Sequence, residues 1–278
     1  MDEAYTYNKQ RWETLVQAQA LFTRPWLGLD AVSARERLDP YGLLGDLSGK
    51  TVLCLAGGGG QQSVAFGLLG ARVSVLDIAE GQLANDREAA AEYGLQVQTY
   101  QGDMRDLSAF EDAAFDIVWH PYALNFVPDC RDVFKAIARV LRPNGFYHFM
   151  AANPFAAGIG PNDWSGAGYI VRRQYIQGQV IDYVDPPWVF NDHADLSKRP
   201  TGPREYRQTL GCLLNGLIEN HFVVMKLLEY DAHEQKLDAE PGEWHHFASF
   251  LPPWLSFWAL YRPDLVFTVE RPRASDAA

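Results

Sequence analysis

The chain is short of several things. It has three cysteines in 278 residues, Cys54, Cys130 and Cys212, far apart and with no CxxC pair. That spacing argues against a disulfide framework or a structural zinc site and fits a reducing compartment, so a cytoplasmic protein is expected. No apolar run approaches the roughly 18–20 residues needed to cross a bilayer. Met1 to Tyr7 is polar and acidic, unlike a secretion signal. Basic residues are outnumbered, 24 Lys and Arg against 35 Asp and Glu, for a net charge of −11. Nucleic-acid binding wants a basic stripe. Here the densest basic stretches are only Arg172-Arg173 and Arg262 with Arg271 and Arg273. His193, Asp195 and His221 lack ligand spacing, so no metal is expected. Repeats and low-complexity tracts are absent.

Apolar residues make up 47% of the chain, enough for a full core in one domain of ordinary size. The most informative stretch is Val52 to Gly60, a short apolar strand running into four consecutive glycines, with a helical segment, Ser63 to Leu69, behind it. Glycine lets a ligand lie against bare backbone and reaches positive φ at little cost. Amides at the following helix start favour polar or anionic groups. A second strand, Ala71 to Leu76, ends at Asp77, where an acid is placed to accept hydrogen bonds from a ribose diol. The dinucleotide fingerprint wants glycine or alanine where this chain has Ser63, which disfavours a nicotinamide-dependent reductase.

Further elements follow in order. Val97 to Tyr100 is a strand, followed by Gln101-Gly102-Asp103-Met104. Phe115 to His120 is another, Val133 to Leu141 a helix closed by Arg142-Pro143-Asn144-Gly145, and Phe146 to Met150 a fifth strand. In this order the pieces resemble the class I S-adenosylmethionine (SAM)-dependent methyltransferases, in particular the small-molecule branch near ubiquinone and menaquinone biosynthesis. The resemblance covers roughly residues 45 to 155 well.

It implies an α/β fold: a Rossmann-like, seven-stranded, mostly parallel sheet with helices on both faces, an N-terminal helical lid, and a β-hairpin/loop insertion after strand 5. The corresponding segments are 1–48 (lid), 49–153 (cofactor core), 154–205 (substrate-recognition insertion), 206–272 (rest of the sheet) and 273–278 (frayed tail). It also implies SAM as cofactor. The Ala56–Gly60 loop, with Ala56, Gly57, Gly58 and Gly60, passes under its methionine part, and Gln61 is a further cofactor-binding candidate. Asp77 holds the ribose, with Ile78 beside the adenine. Asp103 accepts from the adenine amino group, and Met104 packs on the ring. Tyr7 and Trp12 of the lid close over it, unless Trp12 only packs a helix on the core. Two positions depart from the family: Cys54 stands where an acid is common, and Ala56 where glycine is. Gln61, Gln62 or an N-terminal residue are candidates to replace the acid.

For catalysis, His120 at the end of the fourth strand is the first candidate base, the alternative being a SAM contact or a packing residue. Tyr122 follows on the same segment, and His245-His246 form a second cluster. Ile170–Tyr175 and Val180–Tyr183 read as a hairpin around Gln177-Gly178, which either covers the sheet edge or lines a pocket with Trp164, Tyr169, Tyr175, Tyr183, Trp188 and Phe190. Arg204 to Asn220 reads as a helix and Phe222 to Leu228 as a strand. The strand's partner is Leu255–Tyr261 or Leu265–Val269, the first being favoured. The expected activity is methyl transfer to a small, aromatic or partly apolar molecule. The alternatives are a catalytically silent SAM-binding partner protein and an RNA or protein methyltransferase. No nucleic-acid partner and no membrane span are expected, and a homodimer is left open.

Overall fold

A computed structural model describes residues 2–181, 201–229 and 238–265. Tyr183, Trp188, Phe190, the Leu265–Val269 alternative strand and the C-terminal tail thus lie outside the described residues, Leu265 excepted. Strands β1 (Thr51–Leu55), β2 (Arg72–Asp77), β3 (Val97–Gln101), β4 (Phe115–Tyr122) and β5 (Leu141–Ala152) are parallel neighbours in the order 3-2-1-4-5. Beyond β5 lie β9 (Trp254–Tyr261), antiparallel to both its neighbours, and β8 (Phe222–Glu229) at the edge, seven strands in all. The partner of Phe222–Glu229 is therefore the Leu255–Tyr261 segment, as expected. The order reverses between β1 and β4, and ligands of open α/β sheets bind at that switch point, outside the carboxyl ends of the strands.

Both faces of the sheet are covered. α3 (Gln62–Leu68) and α4 (Glu80–Glu92) pack on one side with α2 (Ala31–Leu38), around Leu38, Phe66, Leu83 and Trp119. α5 (Arg131–Val140) and α6 (Leu210–Glu219) cover the other around Phe134, Ile137, Leu213 and Leu217. In α5, Val133, Phe134, Ile137 and Val140 recur at helical spacing and are fully buried, each apolar side chain stabilising the fold by about 1.5–3 kcal/mol. Among the described residues, no helix is long and apolar enough to cross a membrane.

Two local expectations are corrected. Val180–Ile181 (β6) pairs not with Ile170–Tyr175 but with Glu205–Tyr206 (β7). Gln177 fixes this choice: its amide group bonds Pro128 O, Gln208 and the Thr209 N–H, pinning the turn to the start of α5 and α6. The helix expected from Arg204 starts only at Leu210, because Thr209 caps it and the residues before it are extended. The His245-His246 pair, given no element in advance, lies on a helix, α7 (Trp244–Phe250). Its helical spacing sends Trp244 and Phe247 one way and His246 another.

The N-terminal helix α1 (Glu3–Gln17) is stitched over the sheet's carboxyl edge. Asn8 is buried and bonds the carbonyls of Phe126 and Arg204 and the Arg204 N–H. The Glu13 carboxylate accepts from the Glu80 and Gly81 amides, capping the otherwise unsatisfied first turn of α4.

Candidate functional site

One cavity of about 350 Å³ opens along the carboxyl ends of the five parallel strands. The segments after β1 (Ala56, Gly57, Gly58, Gln61, Gln62), β2 (Asp77, Ile78) and β3 (Asp103, Met104) line one end. Those after β4 and β5, with Trp244, Phe247 and Trp254, line the other. α1 closes over it with Tyr5, Asn8 and Trp12, and the Trp12 ring meets Phe126 edge-on at 5.4 Å.

The glycine loop is held from behind by two buried carboxylates. Asp77 accepts from the Gly58 N–H at 3.0 Å and the Ala79 N–H at 2.9 Å. Asp86 on α4 accepts from the Gly59 and Gly60 amides, both at 3.0 Å, and from Ser63 Oγ. The Gly58, Gly59 and Gly60 amides are therefore spent inside the protein and do not face a ligand. Burial pushes Asp77 up to about 6, against the pull of its amide donors. It pushes Asp86 up to about 7, partly offset by Ser63 and the glycine amides. Gly58 has no room for a side chain: a Cβ there would sit 2.6 Å from Gln82 Cβ and 2.9 Å from Asp77 Oδ2. Ala56 takes a φ of 48°, the left-handed conformation glycine adopts more readily.

Gly60 is corrected. It does not line the cavity; at a φ of 72° its Cα faces α4 and Pro25, and it serves packing. Gln61 lines the cavity and ties the loop to the N-terminal segment through the Phe22 and Arg24 carbonyls. Asp103 lines it too, but both carboxylate oxygens are engaged by Arg105, which also reaches Asp2. Tyr7 is turned from the cavity, its ring between Arg11 and Arg204 at 4.9 and 4.5 Å, because helical spacing puts Ala4, Tyr5, Asn8 and Trp12 on the inner face.

Of the readings left open for His120, its position favours packing. It is fully buried, shares a face of β4 with Val118, and its Nδ1 lies 3.1 Å from the Tyr147 hydroxyl. Burial holds it down at about 3, so it is neutral and a poor proton acceptor. A bulge follows at Pro121: His120 pairs with Phe149 and Tyr122 with Met150, two steps against one. β4 reaches the cavity at that bulge, with Pro121 and then Tyr122. His246 bonds the Tyr169 hydroxyl at 2.6 Å and packs on Trp164 and Phe250, and neither it nor His245 lines the cavity.

Several site residues escaped the sequence reading. Gln82 and Asp86 lie one turn apart on α4, a buried polar pair on a helix whose other buried positions are apolar. Gln82 lines the cavity, and its Oε1 is buried with no hydrogen-bond partner among the described residues. Glu205, buried on β7, accepts from the Tyr122 hydroxyl at 2.7 Å. Cys130 and Cys212, remote in sequence, meet at 3.3 Å across the starts of α5 and α6, while Cys54 is plain core as expected.

These features fit SAM. The bare Gly58 backbone beside a buried acid at the end of β2 suits a ribose, and the unpartnered Gln82 oxygen offers a further acceptor. A sheet of this order with this site defines a methyltransferase architecture. A methyltransferase-domain family model matches residues 53–149. The ubiquinone biosynthesis O-methyltransferase of Cronobacter sakazakii is 30% identical over 170 residues, 58% of this chain and 68% of that protein. The uncharacterized methyltransferase YbaJ of Bacillus subtilis is 45% identical over 108 residues, but the match spans only 39% of this chain and 42% of YbaJ. A solved SAM-dependent methyltransferase from Mesorhizobium loti, 23% identical, superposes with a TM-score of 0.62 over 83% of this chain and 99% of its own, and so shares the fold. The chain belongs to the class I SAM-dependent methyltransferase family.

Proposed function

We propose that the chain transfers the methyl group of SAM to a small, uncharged, aromatic or partly apolar molecule in the cytoplasm. The observation that carries this is the division of the cavity. One end has the glycine loop, Asp77, Gln82 and Asp103; the other is walled by Tyr122, Phe126, Trp244, Phe247 and Trp254. Among the described residues that line it, Arg105 is the only cation, and it is already paired with Asp103 and Asp2. A phosphate or carboxylate substrate would find no counter-charge there, and the net charge of −11 repels polyanions. The O-methyltransferase name of the Cronobacter relative agrees with a small acceptor.

SAM brings an already activated methyl group, so the protein's task is positioning and exclusion of water. Asp77 accepts from the ribose hydroxyls, Gly58 leaves room for the sugar, and Ile78 and Met104 flank the base. The Gln82 oxygen accepts a donor of the cofactor. The aromatic wall orients a flat acceptor, and α1, closed through Trp12 on Phe126, acts as the lid.

Calorimetric titration tests the cofactor half: SAM and S-adenosylhomocysteine bind and NAD does not. Incubation with methyl-labelled SAM and a small-molecule cell extract tests the rest. A labelled small molecule is the expected product. Label appearing only in RNA or protein, or SAM binding without any transfer, overturns the reading in favour of its alternatives.

A further inference from the structure

Resting on that reading, we propose that Tyr122 and Glu205 form a proton relay and that the acceptor atom is therefore a hydroxyl oxygen. Tyr122 is the polar group at the aromatic end of the cavity closest in sequence to the sheet edge, being the last residue of β4. Its ring stands edge-on to Phe126 and Trp254, at 6.2 and 6.4 Å, which both line the same cavity. Its hydroxyl donates at 2.7 Å to Glu205, whose residue is 1% exposed and does not itself reach the cavity.

The position of Glu205 is built. On one side of it, both backbone groups of Arg204 are held by the buried Asn8 side chain of α1. On the other, the Tyr206 carbonyl accepts from Asn125, whose oxygen in turn takes the Ala152 N–H of β5. Glu205 itself pairs with Ile181. A two-residue strand thus has three separate elements fixing a carboxylate behind a cavity tyrosine. Apolar contacts alone would tie the insertion to the sheet, whereas a carboxylate held behind a cavity hydroxyl is placed to take a proton from it. The pair makes sense where a proton must leave the cavity.

Methylation of a neutral hydroxyl has that need. As the oxygen–methyl bond forms, the sulfur–methyl bond breaks and its electron pair stays on sulfur, giving S-adenosylhomocysteine. The hydroxyl proton passes to the Tyr122 oxygen as Tyr122 gives its own proton to Glu205. Carbon acceptors need no such group at the attacking atom, and thiols ionise more readily by themselves. Tyr122 is thus the catalytic residue, and Glu205 acts through it.

The test uses carbon-13 methyl SAM with a panel of phenols and naphthols, matched anilines and matched thiophenols. Expected is methylation of the hydroxyl compounds, read as a methoxy resonance. Tyr122→Phe should lower kcat on the order of 10²-fold or more, with SAM affinity retained. Glu205→Gln should lower kcat likewise and flatten the rising limb of its pH profile, and Glu205→Asp should recover part of the rate. Methyl groups placed on nitrogen, sulfur or carbon overturn the relay. So does Tyr122→Phe with kcat within a few-fold of wild type, or Glu205→Gln with an unaltered pH profile. Failure of the wild type to methylate any compound of the panel or of a cell extract instead removes the small-molecule reading itself, and the relay with it.

Discussion

Gly57 and Gly60 stand three residues apart in one loop, yet the structure gives them opposite duties, and alanine at each separates the two. At Gly60 a Cβ meets Ala89 Cβ at 2.7 Å, Asn85 O at 2.9 Å and Pro25 Cβ at 3.0 Å. Two of these neighbours belong to α4, whose backbone cannot retreat without loosening the Asp86 contacts. Overpacking of this kind costs about 1–3 kcal/mol. The φ of 72° adds about 1–2 kcal/mol for any residue with a Cβ. Gly60→Ala should therefore destabilise the protein by about 2–5 kcal/mol, a fall in Tm of roughly 4–10 °C for a chain of this size. At Gly57 the nearest atoms are Pro121 Cδ at 3.2 Å and Gln62 Oε1 at 3.4 Å, with no positive φ, and the Cβ points to the cavity wall. Gly57→Ala should keep its Tm within about 2 °C, since strain of this size stays below about 1 kcal/mol, and lose SAM affinity instead. Thermal unfolding of the cofactor-free proteins and calorimetric SAM titration give the answer. If Gly60→Ala melts with the wild type while its SAM affinity collapses, the assignment of Gly60 to packing is wrong.

Three further outcomes follow from the same geometry. Because burial raises Asp77 to about 6 and the ribose hydroxyls donate to its ionised form, SAM should bind more tightly as pH rises from 5 to 7. This group's contribution to folding falls as pH rises from about 3.8 through about 6, since the native state holds the proton more strongly than the unfolded chain, by about 3 kcal/mol in total, of which roughly 1.3 kcal/mol falls between pH 5 and 7. Asp77→Asn should flatten both curves, and a wild-type SAM affinity constant across pH 5 to 7 would refute the role. His120→Ala should lower Tm through a cavity worth about 2–5 kcal/mol and leave kcat of the folded enzyme at saturating SAM within a few-fold of wild type, whereas a large loss of kcat at unchanged stability would restore it to the site. Trp12→Ala should raise the KM for SAM several-fold by opening the α1 cover; an unchanged KM with a large fall in Tm would leave Trp12 as core packing only.

Much of the fold was legible in the sequence because the signals were local and in order. Four of the five parallel strands, β1, β2, β4 and β5, announced themselves by an apolar run bounded by a turn, and Asp77 and Asp103 sat at strand ends where topology requires ligands to bind. The failures fall where a local pattern was decided by a distant partner. Val180–Ile181 carries no mark showing that it pairs with Glu205–Tyr206; Gln177, reaching Pro128 and Thr209, settles it. His120 lies at the end of a β strand by sequence, but the strand's alternation carries its side chain to the core face, and the bulge at Pro121 comes one residue too late to turn it out. Trp244-His245-His246-Phe247 holds a helix whose apolar positions, not its histidines, meet the cavity.

The missing family acid at Cys54 shows how the same requirement can be met from elsewhere in the chain. A tight glycine loop has several amides that lose water when α4 closes on them, and each must find an acceptor. With an uncharged residue at position 54, the acceptor has to come from another element. The structure supplies it from α4, where Asp86 takes the Gly59 and Gly60 amides and the Ser63 hydroxyl. Ser63 thereby acquires a reason: a glycine or alanine there, as dinucleotide binding prefers, would leave Asp86 one donor short. The departures from the fingerprint at residues 54 and 63 are thus linked through a single carboxylate 23 residues beyond Ser63. Neither departure weakens the loop, because an acid that costs free energy when buried alone is here surrounded by three donors.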